Sequence, residues 1–322
     1  MKKVCILGSG AFGTSMAILL SHNNMKVDIW TPFNQEALSL NKTKKHECLK
    51  GGVLNENIYV TTNLNDAVKG SEIIVIATPS AHVRETAHKL KRVICDQIIV
   101  CLSKGIEKDT LFRMSQIISD EIANSTVVTL SGPSHAEELA LLMPTTCEMA
   151  HPDLSIVDTV KQIFECNHLK IFSNVDQIGV ELGGALKNVI ALSFGIIDGI
   201  GLGDNVKAAL ATLGMIEICK IGMAMGARES TFMGLSGIGD VIVTCTSVHS
   251  RNLRAGKLIS QGKKVSEVEK EIGAVVEGID VTRAAYDLGQ KYNVRTPIID
   301  EIYKVVFEHR SVTSALDYLM RL

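Results

Sequence analysis

Short, nearly continuous apolar runs alternate with amphipathic stretches through the first half of the chain. Val4-Cys-Ile-Leu7, Val27-Asp-Ile-Trp30, Ile73-Ile-Val-Ile76, Ile98-Ile-Val-Cys-Leu102 and Val127-Val-Thr-Leu130 have the length of strands buried on both faces. With helical stretches between several of them, they predict a mostly parallel, doubly wound α/β sheet. Thr145-Thr-Cys-Glu-Met149 and Leu169-Lys-Ile-Phe172 predict two further strands at the edge. From about Gly179 the apolar spacing turns helical, with helices expected over 181–197, 204–225, 251–260, 278–290 and 298–307 and a short terminal one after them. The pattern divides the chain into an α/β domain over 1–178 and an all-helical domain over 179–322.

Size and composition agree with two globular domains: 322 residues, 46% hydrophobic and 21% charged. A net charge of −2 without a basic run or stripe argues against nucleic acid as a partner, so any anionic ligand must be met by local charges. The N-terminal apolar run is too short for a signal peptide. No segment reads as long and apolar enough to cross a membrane, which predicts no stable insertion. Eight scattered cysteines form no CxxC pair, and most read as small buried thiols of a reducing compartment, which points to the cytoplasm. The nine histidines form no HExxH or His-x-His cluster, so no metal site is expected.

Gly8-Ser9-Gly10-Ala11-Phe12-Gly13 follows the first strand and opens the next helix. The first glycine permits a tight turn, the second lets a pyrophosphate approach the backbone, and the third allows close helix packing. This makes the first domain Rossmann-type and dinucleotide-binding. The second strand ends at Trp30-Thr31-Pro32, with neither the acid expected for NAD nor an arginine for NADP at its tip, and Asp28 falls inside the strand. Cofactor choice stays open between the two. Ala77-Thr78-Pro79-Ser80, Ser103-Lys104-Gly105 and Gly132-Pro-Ser134-His-Ala136 end three other strands on the ligand side of such a sheet. Lys104 suits a phosphate or nicotinamide contact there, or ordinary solvation.

In the helical domain, Glu181-Leu-Gly-Gly-Ala-Leu-Lys187-Asn188 puts a lysine and an asparagine on an otherwise apolar helix. Side chains lean toward a helix N-terminus, so Lys187 extends over the bare backbone of Gly183 and Gly184. Two interior glycines cost roughly 1 kcal/mol each, which calls for a reason beyond local stability. One reason is room for a ligand; the other is close helix packing beside a snorkelling lysine.

These strings, with Asp198-Gly-Ile-Gly-Leu-Gly-Asp-Asn-Val-Lys-Ala208, Gly234-Leu-Ser-Gly-Ile-Gly-Asp240, Thr244-Cys-Thr-Ser247, Ser250-Arg251-Asn252 and Val275-Val-Glu-Gly278, resemble the bacterial NAD(P)-dependent glycerol-3-phosphate dehydrogenase family in order over nearly the whole chain. The resemblance implies reversible hydride transfer between NAD(P)H and dihydroxyacetone phosphate, giving sn-glycerol 3-phosphate for phospholipid synthesis. It implies general acid/base chemistry for Lys187, with Asn188 and Asp240 at the reacting oxygen. Lys104, Gly132, Ser134, Ser250, Arg251 and Asn252 would bind substrate, the guanidinium of Arg251 supplying fixed donors to the phosphate. The cofactor would be lined by Gly8, Ser9, Gly10, Ala11, Phe12, Gly13, Lys104, Ala136, Arg251, Val275 and Glu277. Family resemblance and the apolar helices together suggest a homodimer. Two departures stand out: Thr31-Pro32 replaces a more polar or basic pair, and His135 stands where relatives often carry an aromatic, so ring packing is its simplest role.

Two other functions compete. A hydroxyacyl-CoA dehydrogenase would share the architecture but needs a His-Glu pair, which the Lys187-Asn188, Asp240 and Ser250-Arg251 constellation does not offer. A dinucleotide sensor with a partner-binding helical domain would not need so complete a set of polar residues.

Overall fold

The computed structural model describes residues 2–247, 250–273 and 275–321. The chain up to Lys104, together with Phe112–Val180, forms one compact unit. Gly105–Leu111 and the chain from Glu181 onward form a second.

The first unit is built on one sheet of eight strands: β1 (Lys3–Leu7), β2 (Lys26–Trp30), β3 (Ile58–Thr61), β4 (Ile73–Ile76), β5 (Ile98–Cys101), β6 (Val127–Ser131), β7 (Thr145–Ala150) and β8 (Leu169–Asn174). Their order is β3-β2-β1-β4-β5-β6-β7-β8, parallel throughout except for the β6–β7 pair. Alternate residues feed two cores. Val4, Ile6, Val27, Ile29, Val75 and Val100 face one side, and Cys5, Leu7, Ile74, Ile76, Ile99 and Cys101 the other. Helices α1 (Ala11–His22), α2 (Asn34–Thr43), α3 (Leu64–Val68), α4 (Val83–Leu90), α5 (Met114–Glu121), α6 (Ala136–Ala140) and α7 (Leu154–Phe164) accompany the sheet.

The sheet departs from the apolar pattern in two places. Ile58–Thr61 is a strand that the pattern does not predict; its burial alternates along its length, as on a half-covered edge, so it lacks the continuous apolar run of its neighbours. Thr145–Ala150 is not an edge strand, since it pairs with both β6 and β8.

Among its described residues the second unit contains helices and no strand: α8 (Gln177–Gly199, beginning just before the unit), α9 (Asp204–Ala224), α10 (Glu229–Phe232), α11 (Asp240–Thr246), α12 (Arg251–Ser260), α13 (Val265–Ile272), α14 (Glu277–Lys291), α15 (Pro297–Phe307) and α16 (Val312–Leu319). A π-helical turn, Leu235–Gly239, runs directly into α11. Contrary to the expectation from sequence, α8 is long and apolar enough to cross a bilayer, but its most apolar window is 94% buried within the protein. Its apolarity serves packing. A Cβ on Gly195 would lie 2.1 Å from the Leu253 carbonyl oxygen, and one on Gly256 would lie 2.1 Å from that of Leu192, so α8 and α12 cross backbone to backbone.

The cysteines are less uniformly buried than their apolar surroundings imply. Cys5, Cys101 and Cys147 are buried, whereas Cys48 and Cys95 are exposed; all eight are free thiols. Burial pushes the Cys5 thiol up to about 12.

Candidate active site

In the first unit the three motif glycines divide the work as the spacing implies. Gly8 has φ of +119°, and a Cβ there would sit 2.9 Å from the Ala77 backbone. A Cβ on Gly13 would meet the Gly8 carbonyl oxygen at 2.2 Å, so α1 is seated against the turn. At Gly10 a Cβ would meet nothing within 4 Å. Gly10 also precedes α1 without a capping side chain, which leaves the first-turn amides to a ligand. Open backbone at the second glycine and uncapped amides beside Ala11 and Phe12 fit a dinucleotide pyrophosphate. Ser9 is buried, its carbonyl accepting from Thr14 Oγ1 at 2.9 Å.

Within β2, Asp28 is ion-paired with Lys3 at 2.9 Å. The tip does have a carboxylate nearby, which sequence reading missed. Glu36, in the first turn of α2, accepts a hydrogen bond from the buried Thr31 hydroxyl at 2.9 Å. The only sequence signal was an acid in the first turn of the following helix.

Further along the sheet, the Gly132 carbonyl gathers two of the expected residues, accepting from Lys104 Nζ at 3.1 Å and from Ser134 Oγ at 3.0 Å. Gly132 has φ of +133° and a Cβ on it would press on Cys147 at 3.2 Å, so glycine is required to turn this carbonyl. Lys104 is therefore half-buried and engaged rather than freely solvated. Ala136 opens α6.

In the second unit Lys187 is 6% exposed and Asp240 1% exposed. The ammonium donates to the Asp240 carboxylate and, at 2.7 Å, to Thr244 Oγ1. Thr244 in turn donates to the Asp240 backbone carbonyl at 2.7 Å, which aims its oxygen lone pairs at the lysine. An ammonium taken out of water needs such an anion, because desolvation alone would expel the charge. In the sequence Thr244 stands out only as part of a resembling string; its position four residues after Asp240 on a helix is the available signal. Burial pushes the neighbouring Cys245 thiol up to about 12, despite the opposing pull of Lys187, which keeps it protonated and inert.

The two glycines before Lys187 now have a partial explanation. A Cβ on Gly183 would lie 2.8 Å from the Ser236 carbonyl oxygen. The space over Gly183 is thus filled by the π-helical turn, and the close approach delivers Asp240. Gly237, in that turn, has the Phe232 carbonyl oxygen 2.0 Å from where its Cβ would be. π-Helical turns recur at functional sites, where one extra residue re-aims the side chains after it.

Asn188 is held on both sides of its amide. Its Oδ1 accepts from Asn252 Nδ2 at 3.0 Å, and its Nδ2 donates to Glu277 Oε2 at 3.3 Å. Asn252 Oδ1 accepts from the Gly278 amide at 3.0 Å, tying α8, α12 and α14 together. Arg251 is exposed at the first position of α12, where NH1 donates to the Val275 carbonyl at 3.3 Å. Ser250 caps that helix, its hydroxyl accepting from the Leu253 amide at 3.4 Å and keeping its own proton to donate. Lys187, Asn188, Asp240, Asn252 and Glu277 thus form one connected neighbourhood, as do Arg251 and Val275.

Comparison with known proteins agrees with this geometry. Residues 3–157 match the model of the NAD-dependent glycerol-3-phosphate dehydrogenase N-terminus, and residues 176–317 that of its C-terminus. The chain is 45% identical to glycerol-3-phosphate dehydrogenase [NAD(P)+] of Clostridium perfringens (strain SM101 / Type A), over 99% of this chain and 97% of the relative. It is 46% identical to the enzyme of that name from Fusobacterium nucleatum subsp. nucleatum, with the same coverage. The crystal structure of glycerol-3-phosphate dehydrogenase from Coxiella burnetii superposes with a TM-score of 0.94 at 28% identity, covering 100% of this chain and 99% of that one. A ketopantoate reductase from Ralstonia eutropha JMP134, at 14% identity and a TM-score of 0.65 over 94% and 96% of the two chains, shares the fold alone. The chain belongs to the NAD(P)-dependent glycerol-3-phosphate dehydrogenase family, and with it to the enzymes that use NAD or NADP to interconvert sn-glycerol 3-phosphate and dihydroxyacetone phosphate.

Proposed function

We propose that this enzyme works mainly in the reductive direction, supplying sn-glycerol 3-phosphate for phospholipid synthesis, with Lys187 as its general acid/base. The observation that carries this reading is the buried Lys187, with Asp240 and Thr244 on its ammonium and Asn188 next to it in the chain. The nicotinamide cofactor, when bound, supplies the hydride. Negative charge then grows on the ketone oxygen, and an ammonium donor in a dry setting both stabilises that charge and delivers the proton. Asp240 keeps the amine oriented until that moment. Thr244 fixes a second direction on the same nitrogen. Asn188, braced by Asn252 and Glu277, offers its remaining amide N–H to the oxygen. In the oxidative direction neutral Lys187 accepts the alcohol proton.

Arg251 suits the substrate phosphate because a guanidinium matches two phosphate oxygens at once, with the Ser250 hydroxyl and the α12 amides as further donors. Lys104, Gly132 and Ser134 are the substrate contacts proposed in the first unit, and the glycine loop with Ala136, Val275 and Glu277 serves the cofactor. The first unit accordingly carries the glycine loop for the dinucleotide, and the second carries the catalytic residues and the phosphate anchor. We also propose a cytoplasmic homodimer, which sedimentation equilibrium checks directly; a monomer across micromolar concentrations defeats it.

Lys187→Met tests the catalytic role. It keeps the apolar stem and removes the proton donor, so kcat should fall by about 100-fold or more at saturating substrates. Leaving Asp240 buried without its cation should also cost about 3–5 kcal/mol, so circular dichroism must accompany the assay. Near-wild-type kcat in the folded variant removes Lys187 from acid/base chemistry, and a rise in KM alone indicates anchoring.

A further inference from the structure

We propose that Thr31 and Glu36 form a specificity element that makes this enzyme selective for NADH over NADPH. The inference rests on the dehydrogenase reading above and goes beyond it, since the family uses either cofactor. In dinucleotide-binding sheets the adenosine ribose meets the carboxyl end of β2, where a carboxylate accepts from the ribose hydroxyls of NADH and a guanidinium accommodates the 2′-phosphate of NADPH. The group at this end therefore decides between the two.

Here the chain runs Trp30-Thr-Pro-Phe-Asn-Gln-Glu36, with no lysine or arginine in it. Phe33, in the same segment, is 66% exposed and apolar, and offers a phosphate no charge. Asp28, earlier in the strand, is occupied by Lys3. Glu36 is the remaining acid, and it is held in place. Thr31 is 1% exposed, and its hydroxyl donates to Glu36 Oε2 at 2.9 Å while accepting from the Phe33 amide at 3.4 Å. One carboxylate oxygen is thereby anchored at the strand end, and the other can accept from a ribose hydroxyl.

The carboxylate also lies in the first turn of α2, whose amide end would otherwise attract an anion. Glu36 already answers that partial positive charge. A 2′-phosphate brought to the same place meets like charge instead. The ammonium facing this region from α4 is Lys89, 5.8 Å from the Trp30 ring centroid, and it donates to Glu85 at 2.7 Å. That cation is already partnered.

The test separates binding from turnover. NADH and NADPH are titrated onto the purified ligand-free enzyme by their own fluorescence, and both are then assayed with dihydroxyacetone phosphate. NADPH should bind at least about tenfold more weakly than NADH, a difference of about 1.4 kcal/mol or more. Glu36→Gln removes the charge but keeps an acceptor, and should shrink that ratio severalfold, mainly by tightening NADPH. Thr31→Val keeps the buried shape, releases Glu36, and should shrink the ratio by weakening NADH. Equal binding of the two dinucleotides by the wild type overturns the proposal, as does failure to bind either. A ratio unchanged in Glu36→Gln, or an equal loss for both cofactors in Thr31→Val, leaves these residues a structural role only and overturns it too. Selective NADH binding without turnover of dihydroxyacetone phosphate would instead refute the proposed reaction and leave the specificity element standing.

Discussion

Gly183→Ala should cripple catalysis without contributing an atom to the reacting groups. The added methyl would sit 2.8 Å from the Ser236 carbonyl oxygen and 3.1 Å from its carbon, about 0.6 Å short of an ordinary 3.4 Å contact. The obstacle is backbone, so it cannot be relieved by a side-chain rotation. The π-helical turn must shift, and Asp240 is the residue directly after it. Overpacking of this kind costs about 1–3 kcal/mol, partly offset by the roughly 1 kcal/mol that alanine gains over glycine inside a helix. The net loss of stability is therefore modest, about 0–2 kcal/mol, and the variant should fold. Catalysis is less forgiving, because displacing a catalytic group by even 1 Å can cost about 100-fold. The expected pattern is kcat reduced by about 10- to 100-fold, with KM for both substrates little changed. Thermal unfolding and steady-state kinetics on the same preparation provide the check. Wild-type kcat with an unchanged melting temperature would refute the claim that the close approach at Gly183 positions Asp240.

Three further outcomes are expected from other parts of the molecule. Gly10→Ala adds a methyl that meets nothing within 4 Å at a backbone conformation alanine accepts, so stability should change by less than about 0.5 kcal/mol while NADH affinity falls at least about tenfold; unchanged affinity would mean the loop does not hold the pyrophosphate. Arg251→Lys keeps charge but loses the planar donor fork, so kcat/KM for dihydroxyacetone phosphate should fall far more than that for unphosphorylated dihydroxyacetone; equal fractional losses would exclude a phosphate anchor. Glu217 is buried and accepts from the Ile298 and Ile299 amides at the start of α15, and burial raises its carboxyl to about 7. Because the folded carboxyl holds its proton more tightly than the unfolded one, its contribution to stability is full below about pH 4.5 and is lost as pH rises toward 7, a change of about 3 kcal/mol. Glu217→Gln mimics the protonated form, so its melting temperature relative to wild type should climb between pH 5 and pH 8, and a flat difference would refute the linkage.

The sheet was legible in the chain where burial on both faces writes a continuous apolar run, as in β1, β4 and β5. Ile58–Thr61 escaped because one face is open and its alternation over four residues resembles any loop. α14 and α15 in the second unit were legible for the converse reason, a sustained 3.6-residue period. The four-residue α10 and the π-helical turn are too short to display one.

For the site, local sequence was enough to mark the glycine loop and the Lys187-Asn188 pair, because both place unusual residue types against a regular background. Their partners came from packing. Asp240 lies 53 residues from Lys187, and nothing in either segment states that they meet. Gly183 read equally well as space for a ligand or as a helix contact until the Ser236 backbone was seen against it. Glu36 drew no attention in the sequence, and only the Thr31 hydroxyl bonded to it marks it at the strand end. Periodicity and composition report how each segment buries itself, since burial is a local average over neighbours of any identity. Which two side chains touch depends on the approach of whole backbones to within a few tenths of an ångström, and that is decided only when the segments pack together.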